Sequence, residues 1–340
     1  MNRNLNVDAI KGFLIILVVL GHSIQYGFGL DYVVSEEFYD DYVFRAIYTF
    51  HMPLFMFISG YFFYNTNRRG FLYVLKTKLL YIGIPFVTYY SFWYLLWWVT
   101  SGEEKFYIID YFRRMDVNLW FLSSLLVNCL LMSLLNRVFK KYTLGVSVLL
   151  FILMLFVDDR QLSPMFKFVF VFFLLGYYYR RFSFSLNWVI NKRIVFYVLS
   201  ILFLVSICVY DGDVMIYKGG YCILRDIHIS LYQLQKDFVR FVIGCVTSCW
   251  FVGFALRIVK SSRIVFLFLA NWGKYTLAVY GMQTIIFFIM FYLMRVLSIN
   301  ISHNSLTPLL ICVCVIYICG LLIRLCSYSF LSRLLFLGKN

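Results

Sequence analysis

Apolar residues run through this chain in long blocks, separated by short clusters of charge, Gly, Asn and Pro. The blocks fall at residues 10–29, 43–64, 78–100, 117–136, 143–157, 164–179, 194–210, 238–259, 274–297 and 307–328. Most are long enough to cross a bilayer as helices, and in hydrocarbon only a helix or a closed barrel satisfies its own backbone polar groups. The pattern predicts an all-α, polytopic membrane protein of about ten transmembrane helices. The fifth and sixth blocks are shorter than the roughly 17 residues a span needs, so they predict either two short crossings or one tight hairpin. Neither choice changes the sidedness of the rest. A further stretch, "SSRIVFLFLA" (261–270), is too short to cross and predicts a helix lying along the membrane surface. The first block carries no small-residue cleavage site behind its core, which predicts a retained helix rather than a signal peptide. With no long polar tract and no internal repeat, the chain is expected to form one membrane domain over residues 3–339.

Charge sets the orientation. With the N-terminus inside, the inner segments collect 20 of the 31 Lys and Arg and a single acid, Asp8; the outer segments hold 11 basic residues and 15 of the 16 acids. That bias predicts N-in, C-in. Three outer loops are then substantial: 30–42, 101–116 and 211–237. Composition reinforces the class: 63% of residues are hydrophobic and 14% charged, against about half and a quarter in soluble domains. The net charge of +15 is thus an orientation signal and a contact with anionic lipid, and nucleic acid is not an expected partner. Eight of the nine cysteines lie in apolar blocks and only Cys222 in a long loop. They form neither a disulfide framework nor a metal-ligand spacing, and no metal is expected.

Ionisable groups inside apolar blocks are costly, and where present they point to function. In "AIKGFLIILVVLGHSIQYG" (9–27), His22 follows Lys11 by eleven residues, almost three helical turns or about 16 Å along one face. Asp8 and Gln25 lie near the same stripe. The bland account is a packing histidine bonded to a neighbouring helix; the sharper one is an imidazole facing a site. The second block, "FRAIYTFHMPLFMFISGYFFY" (44–64), places His51 at a comparable depth beside Pro53, which strips the carbonyl of Thr49 of its helical partner. Ser59 and Gly60 mark a close-approach surface. Two imidazoles at similar depth argue for a polar cavity. His228 and His303, in outer loops, read as ordinary exposed histidines. At the inner end, Arg68, Arg69, Lys76 and Lys78 form a dense basic cluster: an orientation signal on the bland account, a phosphate site on the sharper one. Asn118 and Trp120, at the outer end of the fourth block, suit sugar contacts, although Trp120 equally suits an interfacial belt.

"VDAIKGFLIILVVLGH" (7–22) resembles the opening signature of the membrane acyltransferase 3 family, particularly its fucose 4-O-acetylase-like branch, in which a basic residue, ten intervening residues and a histidine occupy the first helix. Lys11 stands where the usual basic residue is Arg. "FHMPLFMFISGYFF" (50–63) is similar to the second-helix motif and "KTKLLYIGIPF" (76–86) to the basic entry into the third helix. "NLWFLSSLL" (118–126), "FVFFLLGYYYRR" (170–181) and "LLFLGK" (334–339) also fit. "NWGKYTLAVYGMQ" (271–283) resembles a motif that commonly ends in His, where this chain has Gln283, so no role passes to that position.

The resemblance implies transfer of an acyl group, usually acetyl, from cytosolic acyl-CoA to a hydroxyl of an extracytoplasmic or lipid-linked sugar, in the inner membrane of a bacterium. It assigns His22 as catalytic, Lys11 as its basic partner, and draws in His51 and Arg69. Imidazole near neutrality suits removal of the acceptor's proton. The basic cluster would hold the phosphates of acetyl-CoA. The competing expectation is a transporter or flippase for a sugar or lipid-linked intermediate, in which histidines relay protons and intramembrane acids and broken helices are usual. A third is a structural subunit of a polysaccharide-assembly complex.

Overall fold

The computed structural model describes residues 4–29, 37–102, 108–113, 119–184, 192–225, 228–299, 304 and 306–339. The described residues are mostly helical, and each of the ten apolar blocks largely coincides with a helix or part of one; two further short helices, at 108–113 and 263–272, lie outside the blocks. In order these helices are α1 (Leu5–Gly27), α2 (Tyr42–Asn67), α3 (Phe71–Ser101), the short α4 (Ile108–Arg113), α5 (Trp120–Phe139), α6 (Thr143–Met154), α7 (Pro164–Arg181), α8 (Arg193–Val209), α9 (Leu231–Ser261), α10 (Arg263–Trp272), α11 (Thr276–Val296) and α12 (Thr307–Cys326). A two-residue hairpin, Leu224–Arg225 against His228–Ile229, is the one strand pair among the described residues. Among those residues seven helical stretches are long and apolar enough to cross a membrane: α1, α2, α3, α5 running on through α6, α9, α11 and α12.

The chain folds as two compact units. The first comprises residues 1–44, 78–123 and 262–340; the second comprises 45–77 and 124–261.

In the first unit α1 packs against α10, α11 and α12. Its start is capped by Asn4, whose side chain accepts the amides of Asn6 at 3.1 Å and Val7 at 3.4 Å, satisfying two of the donors a helix leaves open at its N-terminus. The α1–α10 contact is closed by a reciprocal pair of glycines. A Cβ on Gly12 would overlap the carbonyl of Leu269, and one on Gly273 would overlap the carbonyl of Asp8. This tight docking holds the short helix predicted for the membrane surface, while Ile264, Leu267 and Phe268 on it stay exposed. Within α3 the helix passes through a π-turn at Leu79–Gly83 just before Pro85, which removes the amide that would have met the carbonyl of Tyr81. Gly338, at φ +59°, lays its backbone against that carbonyl where any Cβ would collide.

In the second unit α2 crosses α7 through Gly60, set against the carbonyl of Phe173, and Gly176, set against that of Phe57. This is the small-residue approach expected between membrane helices. The helix α2 continues through Pro53, and α9 supplies what the proline removes: Thr247 Oγ1 donates to the carbonyl of Thr49 at 3.2 Å. In the same unit α8 leans on α9 through the stacked rings of Phe203 and Trp250, 3.7 Å apart, and a 3.1 Å hydrogen bond from Trp250 Nε1 to Ser200.

Candidate functional site

In the first unit, one turn of α1 builds the site around His22. The Oε1 of Gln25 lies 2.7 Å from His22 Nδ1. An amide oxygen only accepts, so Nδ1 carries the proton and the neutral ring keeps its lone pair on Nε2. The i, i+3 spacing that put the two residues on one stripe of the sequence is what brings them together. The ring is half-buried, with Phe287 of α11 tilted against it at 6.1 Å between centroids. Tyr26 stacks on the same Phe287 at 4.7 Å and meets Phe291 edge-on at 4.9 Å. His22 is thereby aimed by a hydrogen bond and walled by aromatic rings.

Toward the start of α1, Lys11 Nζ donates to Asp8 Oδ1 at 3.3 Å, with the Asp8 side chain buried and Lys11 partly open. The expected pair is formed, about three turns from His22. Beside it, between α10 and α12, is a cavity of about 590 Å³ whose walls include Asn271, Trp272, Tyr275 and Arg324. The sequence contained these residues without a periodicity that would single them out.

Trp120 opens α5 in the same unit, half-buried and edge-on to Phe121 at 6.0 Å. Phe121 in turn meets Tyr280 of α11 at 5.7 Å. Asn118 and His303 lie outside the described residues. Lys78 is half-buried in this unit, whereas Arg68, Arg69 and Lys76 are exposed around the α2–α3 turn in the second unit. Arg69 Nη1 donates to the hydroxyl of Tyr73 at 2.6 Å and its guanidinium covers the ring of that residue.

His51 belongs to the second unit and is 2% exposed. Its Nδ1 donates to the carbonyl of Ile47 at 2.8 Å, and its ring meets Tyr48 edge-on at 4.5 Å. Tyr48 contacts Tyr217 at 5.3 Å, a residue of the 211–223 segment. That segment is clamped by a network that sequence reasoning missed. Arg240 of α9 is fully buried and donates to Val214 O at 2.6 Å, to Asp213 O at 2.5 Å, to Met215 O at 3.3 Å, to Gly220 O, and to Asp237 Oδ1 at 2.8 Å. Gln233 joins Gly220 O and Asp237 Oδ1. Lys167 of α7 bonds Asp159 at 2.8 Å and the carbonyl of Val157, while Asp159 accepts the amide of Tyr221 at 2.8 Å. The signal available was the "QKDFVR" run (235–240), with Asp237 and Arg240 three apart. In this loop Cys222 is buried, and His228 stands exposed as expected.

A family model described as an acyltransferase domain matches residues 4–324. Among curated proteins, the chain is 32% identical over 190 residues to the nodulation protein NolL of Sinorhizobium fredii, an alignment covering 53% of this chain and 50% of that protein. It is 25% identical over 304 residues to the nodulation protein NolL of Mesorhizobium japonicum, covering 85% of this chain and 78% of that one. The first of these alignments spans half the length of the relative it matches. No solved structure matches the chain.

Proposed function

The chain belongs to the acyltransferase family, and from that premise we propose that it is a multi-pass enzyme of the bacterial inner membrane, N-in and C-in. In this reading it moves an acetyl group from cytosolic acetyl-CoA to a hydroxyl of an extracytoplasmic or lipid-linked sugar. The observation that carries the proposal is the His22–Gln25 hydrogen bond, which leaves Nε2 as the basic nitrogen of a half-buried imidazole. Nε2 takes the acceptor's hydroxyl proton as that oxygen attacks the thioester carbonyl. The C–O bond forms, the C–S bond breaks, and the departing thiolate recovers the proton from the imidazolium. His22 ends neutral and CoA leaves as its thiol.

The donor's charged half has two sources of support. Arg68, Arg69 and Lys76 form an exposed basic turn, suited to phosphate. The cavity at Trp272, Tyr275 and Arg324 offers aromatic faces and a guanidinium near the Lys11 end of α1. Trp120 and Asn118 are the proposed sugar contacts, with Lys11 holding the foot of the catalytic helix.

The charged groups buried in α7 and α9 are what a transporter would use, but Arg240 and Lys167 are each taken up by carboxylates and backbone carbonyls. That closure favours a fixed scaffold over a proton relay. The test is transfer of labelled acetyl from acetyl-CoA by the protein in lipid bilayers, together with mass spectrometry of cell-surface glycans. An acetyl-sized difference that vanishes in His22→Ala supports the proposal; an unchanged glycan profile rejects it.

A further inference from the structure

Gln283 lies on α11 with 1% of its surface exposed, and neither its amide nitrogen nor its amide oxygen meets a hydrogen-bond partner among the described residues. Buried polar groups are almost always satisfied, and leaving a donor and an acceptor unmet together is costly. The neighbourhood gives the reason for tolerating it. One turn further along, Phe287 faces His22; one turn earlier, Tyr280 faces Phe121, next to Trp120. Residues three and four apart share a helix face, so Gln283 stands between the position that touches His22 and the one that touches the start of α5. All of these residues belong to the same unit. Among the described residues the hydrogen-bond partner of His22 is Gln25, which is engaged with the ring.

We infer that Gln283 binds the acceptor at the His22 site, its Nε2–H donating to one hydroxyl oxygen of the sugar and its Oε1 accepting from the adjacent hydroxyl. A carboxamide with both ends unmet is complementary to a group that both donates and accepts, and a pair of neighbouring hydroxyls does so. A thioester carbonyl only accepts and would leave Oε1 orphaned. Gln283 therefore selects sugars that keep a free hydroxyl beside the one acetylated. This inference rests on the sugar-acetylating function proposed above.

The experiment compares wild type and Gln283→Met, full-length in lipid nanodiscs, with acetyl-CoA and a panel of methyl glycosides (fucoside, rhamnoside, glucoside) and their singly deoxygenated analogues. Met fills nearly the same volume without polar atoms, so the variant is expected to melt at the wild-type temperature or above it. Its KM for the accepted glycoside rises at least about tenfold, the loss expected for two neutral hydrogen bonds, while its KM for acetyl-CoA is unchanged. The variant no longer distinguishes the glycoside from the analogue lacking the neighbouring hydroxyl. The rise in melting temperature that the glycoside gives the wild type, which requires no transfer, is lost. A lower melting temperature, a rise in the donor KM, or an unaltered acceptor KM overturns the inference while leaving acetyl transfer intact. If no glycoside is acetylated by, or stabilises, the wild type, the sugar acceptor itself is rejected and this inference with it.

Discussion

The hydroxyl of Thr247 on α9 lies 3.2 Å from the carbonyl oxygen of Thr49 on α2, the acceptor that Pro53 leaves without a helical amide. The same hydroxyl reaches the carbonyl of Ile243 in its own helix at 2.7 Å. Gly244, a turn away, brings α9 close to the proline ring. A defect in one membrane helix is thus repaired by its neighbour. Thr247→Val should cost about 1 kcal/mol of stability, the usual net worth of such a bond. In a Pro53→Ala background, where residue 53 regains its amide, that cost should shrink toward zero. Thermal unfolding of the four proteins of this double-mutant cycle measures the coupling, and strictly additive shifts would refute it.

His22→Ala should lower acetyl transfer by roughly two to four orders of magnitude, the usual contribution of a general base, without loss of folded protein. Gln25→Leu removes only the group that aims the ring, and kcat should fall about tenfold with both KM values little changed. Steady-state kinetics on the purified variants decides. A Gln25→Leu enzyme with wild-type kcat would mean the ring is held by its aromatic walls alone.

Arg240→Met should be among the most damaging changes outside the His22 site. It strips the donor from four backbone carbonyls and leaves the Asp237 carboxylate buried without its cation, at a cost of about 3–5 kcal/mol. Lys236→Met should cost under about 1 kcal/mol, because its partner Asp213 is exposed and 3.6 Å away. Limited proteolysis within 212–221 reads the difference directly: faster cleavage in Arg240→Met, wild-type resistance in Lys236→Met.

Gly12→Ala should force α1 and α10 apart, since the new methyl would occupy the space of the Leu269 carbonyl; overpacking of this kind costs about 1–3 kcal/mol. Gly145→Ala is the control: its added methyl meets nothing within 4 Å. Melting temperatures in detergent should fall for the first and hold or rise for the second.

Orientation is best tested at an exposed residue. Cys222, the cysteine of the long loop, is buried with its thiol 3.2 Å from the carbonyl of Leu224, so a maleimide would fail to reach it whichever side it occupied. His228→Cys presents an exposed thiol in the adjoining hairpin. In intact cells an impermeant maleimide should label His228→Cys and should leave Lys76→Cys unlabelled until the cells are opened. The reverse pattern would invert the topology.

Hydropathy alone marked the apolar blocks as helices, because in hydrocarbon a backbone must satisfy itself within one segment; seven helical stretches among the described residues are long and apolar enough to cross, against about ten expected. Periodicity marked the His22–Gln25 and Asp8–Lys11 pairs, because residues three apart on a helix face one another whatever surrounds them. The glycine at position 60 was also legible as a close-approach site. What opposes each helix was not. Arg240, Lys167 and Lys236 counted in the sequence as basic residues of the outer face, yet folding spends them on acids and carbonyls up to 27 residues away. Thr247 answers a proline 194 positions earlier in the chain, and Phe287 meets His22 across 265 positions. Those partners are chosen by packing, since a buried polar group is costly or harmless according to what stands against it. Gln283 is the sharpest case: its identity is in the sequence, but that both ends of its amide are left unmet among the described residues, on the α11 face that meets His22, is decided only by the assembled helices.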